Sequence, residues 1–180
     1  MLHLNIAGQG RPGGRTPAAV LEGGITDRWL TYHSGSGELA LVQEAIRLIR
    51  TRTLDDPAVR GTCDARLQRM AGVDFSALIE GPRAIVISRN PELHNEYYGV
   101  TSGNHISIAQ YCFTRTPRAT AVATTAATLV HELAHVAMGA RAQGDYQAES
   151  AVRACGFSGQ FVPGPVGRFS IPRLAQMFMV

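Results

Sequence analysis

Between Glu38 and Arg52 the apolar residues Leu39, Val42, Ala45, Ile46 and Ile49 recur at steps of three and four, with Arg47, Arg50 and Arg52 elsewhere. That spacing predicts an amphipathic helix, and Ser36 stands where its cap is needed. A second helix is predicted from Pro57 to Met70, opened by proline and stopped at Gly72, with Val59, Leu67 and Met70 apolar. The period then changes. Ala84–Ser88 is a short β-branched run between Gly81-Pro82 and Asn90-Pro91, which predicts a buried strand. Glu96–Thr101 and His105–Gln110, separated by Ser102-Gly103-Asn104, predict a hairpin. In its second arm Ile106 and Ile108 alternate with His105, Ser107 and Gln110, the pattern of a half-exposed strand. Thr120–Met138 is rich in Ala, Leu and Val and has no Pro or Gly before Gly139, so it predicts a mostly buried helix. A last helix is predicted with Asp145 as cap and Gly156 as stop. Together these elements make an α+β fold with a small, mainly antiparallel sheet.

The two ends read differently. Residues 1–37 are crowded with glycine and proline, too costly in backbone entropy to fold alone, and are expected to form an arm or linker. Trp29 and Tyr32 suggest that its latter part docks on the domain formed by 38–180. After Gly156 the prolines 163, 165 and 172 predict coil, followed by a short apolar element packed on the core.

Composition adds exclusions. The 180 residues are 45% hydrophobic and 17% charged, ordinary for one globular domain. All 17 basic residues are arginine, and they are scattered, so the net charge of +3 marks no nucleic-acid surface. No run approaches the roughly 18 apolar residues of a membrane span. The first residues lack the charged and apolar regions of a signal peptide, so any export is expected by another route. Cys63, Cys112 and Cys155 are too far apart for a Cys-x-x-Cys site. They permit one disulfide and a leftover thiol, or three buried reduced thiols.

The chemistry is concentrated in His131-Glu132-Leu133-Ala134-His135. On a helix, residues four apart share a face, so His131 and His135 can direct both imidazoles at one ion. Glu132, one step round, is placed to touch a water rather than the ion. Two histidines and a neighbouring carboxylate are what zinc-assisted hydrolysis requires. A catalytic zinc takes a third protein ligand. Glu149, one turn into the next helix, is the favoured donor, and its competing role is to complement the helix dipole. Asp145 is the alternative, and its competing role is the cap. Tyr97, Tyr98 and Tyr146 are candidate oxyanion donors, and each also suits packing. His105 is a candidate substrate-side residue, with a solvent-facing strand position as the simpler account.

His131-Glu132-x-x-His135 followed by a glutamate on the next helix resembles the zincin metallopeptidases, and among them the gluzincins, across Glu96 to Phe157. The resemblance implies zinc bound by His131, His135 and Glu149, with Glu132 as general base, and a protein or peptide substrate accepted along a strand edge. The metzincin extension is absent, because Met138 and Arg141 stand where that branch has glycine and histidine. The spacing from His135 to Glu149 is short for large thermolysin-like enzymes, which implies a reduced zincin fold. By size and layout the chain is also similar to small zincin effector domains of bacterial toxins, including those fused to type VI secretion tip proteins. That implies delivery by a secretion-system protein, an immunity protein as partner, and action in the periplasm or a target cell, with a cytoplasmic place as the alternative. The alternatives are a zinc amidase acting on peptidoglycan peptides and a catalytically silent zincin-like binding module. An intact Glu132 favours an enzyme.

Overall fold

A computed structural model describes residues 1–8, 30–91, 93, 98–139 and 145–157. Expectations for the C-terminal tail, the turn before Asp145, Trp29 and Tyr97 lie outside the described residues. Among the described residues, six helices and a four-stranded mixed sheet give an α+β arrangement. In chain order they are β1 (Leu2–Leu4), α1 (Gly37–Ile49), α2 (Pro57–Ala71), α3 (Phe75–Glu80), β2 (Ile85–Asn90), β3 (Gly99–Ser102), β4 (His105–Ala109), α4 (Gln110–Phe113), α5 (Arg118–Met138) and α6 (Asp145–Ala154). A π-helical turn, Arg50–Leu54, extends α1.

Local chemistry sets the helix ends. The Ser36 hydroxyl accepts from the Leu39 amide, and the Asp56 carboxylate accepts from the amides of Ala58 and Val59 ahead of Pro57. Each cap satisfies backbone donors that a helix leaves open. Leu39, Val42, Ala45 and Ile49 are buried as their spacing predicts. They pack α1 against α5, and Arg118 at the start of α5 reaches Glu44 at 2.8 Å.

The sheet corrects the expectation of a mainly antiparallel one. Its order is β1-β2-β4-β3, with β1/β2 and β2/β4 parallel and β3/β4 antiparallel. The hairpin exists, but its first arm, β3, takes the outer place, and β4 lies between it and β2. Composition explains the placement. β4 carries Ile106 and Ile108 and suits an interior strand, whereas β3 is Gly-Val-Thr-Ser and tolerates the edge. β4 is therefore not half-exposed: Ser107 is buried along with Ile106 and Ile108. The beginning of the presumed arm also contributes, since Leu2–Leu4 pairs with Ile85–Ile87. Tyr32 is fully buried and donates its hydroxyl to the Ser88 carbonyl.

Cys63 on α2 and Cys155 just beyond α6 form a disulfide with Cα atoms 4.5 Å apart. Of the two readings of the cysteines, one bridge plus one thiol is the arrangement found. Thr53 donates to the Cys155 carbonyl at 2.8 Å, and the Arg52 guanidinium lies over the buried Phe157 ring. The end of α6 is thereby fastened to the α1–α2 corner. Cys112 is buried, and desolvation pushes its thiol up to about 12. It is a core side chain and not a nucleophile.

Candidate functional site

The long helix α5 is buried along most of its length, from Thr124 through Ala134. It ends at Gly139, whose φ of 57° and ψ of −139° suit glycine, and whose amide donates to the His135 carbonyl. His131, Glu132 and His135 occupy its last two turns. The Nε2 atoms of His131 and His135 are 3.1 Å apart and the ring centroids 4.8 Å apart. Two imidazole nitrogens on one tetrahedral zinc would stand about 3.3 Å apart, given Zn–N bonds of about 2.05 Å. The separation of 3.1 Å also suits a hydrogen bond between the two rings, one nitrogen donating and the other accepting. His131 is buried and His135 partly exposed.

Glu132 is only 4% exposed. Among the described residues no arginine forms an ion pair with it. Its carboxylate Oε2 instead accepts a hydrogen bond of 2.7 Å from the Thr101 hydroxyl on β3. The same hydroxyl lies 3.2 Å from the Glu132 carbonyl oxygen, so the shorter contact is to the carboxylate. Gly99, two residues back on the same face of β3, lets the strand lie directly on α5. A Cβ there would come within 2.9 Å of Thr128 Cγ2, 3.0 Å of Glu132 Cγ and 3.1 Å of Oε1. A buried carboxylate needs hydrogen-bond donors, and the Thr101 hydroxyl supplies one.

The predicted site residues do not all meet. His131, Glu132 and His135 come together as their spacing requires. α6 packs on α5 through Ala148, Ala151 and Val152. Glu149 sits on α6, partly buried, with its carboxylate 3.7 Å from Arg153 one turn on. Among the described residues no three His, Cys, Asp or Glu side chains converge closely enough to hold a metal. Asp145 is the first residue of α6, and its side chain lies outside the described residues. Tyr98 is buried, packs edge-on against Tyr111 and accepts from Arg115 at 3.4 Å, a packing role. Tyr146 is 72% exposed at the start of α6. His105 opens β4 opposite Ser102 and is partly buried.

No known family, characterised protein or solved structure matches this chain. The site therefore stands on its own geometry. Thr101 and Gly99 were not picked out from the sequence. A glycine two residues before a threonine, inside a strand, is a signal of close backbone approach. What approached it could not be read from that signal. Among the described residues, no helix is long and apolar enough to cross a membrane.

Proposed function

We propose that the chain is a zinc-dependent metallopeptidase that hydrolyses peptide bonds, of the gluzincin kind in a reduced fold. The observation that carries the reading is the juxtaposition on α5 and β3. Two histidine nitrogens sit 3.1 Å apart, and the intervening glutamate is held against the edge strand of the sheet. His131 and His135 would hold the ion, with Glu149 as the third donor and Asp145 as its rival. A partly exposed i,i+4 pair such as Glu149–Arg153 is worth only about 0.3–0.5 kcal/mol, less than a carboxylate gains beside a divalent cation.

Zinc bound there supplies a Lewis acid and brings the pKa of bound water toward about 7. Glu132 accepts a proton from the attacking water at its carboxylate and passes it to the leaving amine nitrogen. β3, the last strand of the sheet among the described residues, would offer an extended peptide a line of backbone partners beside Glu132. That favours a peptide substrate. The Cys63–Cys155 disulfide supports an oxidising destination, in keeping with a delivered bacterial effector.

The test begins with metal. Purified protein is expected to hold one zinc per chain and to gain thermal stability from it. His131→Ala and His135→Ala are each expected to lose both together, about 3–4 kcal/mol with free zinc at 100–1,000 times Kd. Unchanged zinc content and melting temperature in both variants would make the pair structural and end the reading. Digestion of casein, compared with digestion of isolated sacculi, separates a peptidase from a peptidoglycan amidase.

The third ligand is ranked by a second pair. Glu149→Gln is expected to weaken zinc binding by more than about tenfold, because a neutral amide replaces a charged donor. Asp145→Asn is expected to bind within a few-fold of the parent, since Asn and Asp begin helices about equally well. Titration against a chelator reads the order, and a reversed order assigns the site to Asp145.

A further inference from the structure

The edge strand does more than border the site. We infer that Thr101 is a positioning residue for Glu132: its hydroxyl fixes the carboxylate in the one orientation that the closed space beside Gly99 allows. The inference rests on the metallopeptidase reading for what the carboxylate then does, and on geometry for the contact itself.

Three observations carry it. First, Thr101 Oγ1 donates to Glu132 Oε2 at 2.7 Å, within the range of a strong hydrogen bond to an ionised acceptor. Second, the opposite oxygen and the stem of the same side chain face Gly99, where even a Cβ would lie 3.0–3.1 Å away. The backbone of β3 thus limits the carboxylate on one side while Thr101 ties it on the other. Third, register holds the two contacts together. Gly99 pairs with Ile108 and Thr101 with Ile106, so both point to the same face of a strand locked to a buried neighbour. A general base works only within hydrogen-bond reach of the proton it takes. A glutamate side chain in a wide groove has several rotamers, whereas Glu132 is 4% exposed and hydrogen-bonded to a strand paired with β4. The arrangement also joins recognition to chemistry, because a peptide paired along β3 would press on the strand that aims the base.

The experiment compares Thr101→Val, which removes the hydroxyl but keeps shape and strand preference, with Thr101→Ser, which keeps the hydroxyl. On dye-quenched casein, Thr101→Val is expected to lower kcat about 10–100-fold. KM should stay within about twofold and zinc content should be unchanged. Thr101→Ser is expected to stay within about threefold of the parent kcat. A normal kcat in Thr101→Val, or an equal loss in Thr101→Ser, would overturn the proposal. Independently of zinc and activity, Thr101→Val is expected to lower the melting temperature by about 2–4 °C in the parent. In the Glu132→Ala background the fall should be at most half as large, because only the 3.2 Å contact to the residue-132 carbonyl is left to lose. Additive shifts would show the hydroxyl and carboxylate to be uncoupled and would likewise overturn it. A parent that binds no zinc and cuts nothing would instead defeat the reading of Glu132 as a base, whatever the thermal cycle shows.

Discussion

Replacing Glu132 by glutamine is expected to leave zinc content and fold intact and to reduce hydrolysis about 10²–10⁴-fold, the usual range for loss of a positioned general base. Glutamine has the same shape, and its amide oxygen still accepts from Thr101, so the buried contact at 2.7 Å keeps its acceptor. What it lacks is a group that takes a proton at neutral pH. The outcome separates the roles on α5. A ligand variant loses metal and stability together, while this variant should lose turnover alone. Zinc measured per chain alongside casein cleavage checks it. A Glu132→Gln protein that keeps full activity, or one that loses stoichiometric zinc, would show the role assignment to be wrong.

The second large effect concerns the bridge. Cys63→Ala with Cys155→Ala is expected to cost about 4–5 kcal/mol, because the bridge closes a separation of 92 residues in the unfolded chain. For a chain of this size that corresponds to a fall in melting temperature of about 10–20 °C. Calorimetry of the parent with and without reductant should reproduce most of it, since the third cysteine is a buried thiol outside the bridge. The loss should extend to the site. Cys155 lies just beyond the helix that carries Glu149, and Thr53 and Phe157 hold the same end beside it. Zinc affinity is therefore expected to fall with the bridge, although neither cysteine is near the histidine pair in sequence. A double variant that melts with the parent would show the Thr53 and Phe157 contacts to be sufficient.

Much of the site was legible because it is local. His131 and His135 are one turn apart, and helical geometry alone puts their rings on one face; tertiary structure could only bury or expose them. The helix was legible for a related reason, since an unbroken Ala/Leu/Val run ending in glycine has few other states. Its start was read two residues late, at Thr120 for Arg118, within the usual uncertainty of helix ends. Helix α3 was missed because six residues, Phe75–Glu80, are too few to show a period. β1 was missed because three residues beside a glycine-rich stretch carry no strand signal of their own.

By itself, then, the sequence determined the elements with long periods, the His-Glu-His face, and the limit of one disulfide. The first two depend on neighbours within a turn or two of chain, and the last on the count of three cysteines alone. Only the tertiary structure decided that β4 enters beside β2 and runs parallel to it, and that Cys63 pairs with Cys155 while Cys112 stays buried and reduced. It alone placed Gly99 and Thr101 against Glu132. These pairings join residues tens of positions apart, and the competition among alternative burials selects them. The interior place goes to the strand with two isoleucines, and the edge, with its glycine and threonine, is left to lie on the glutamate.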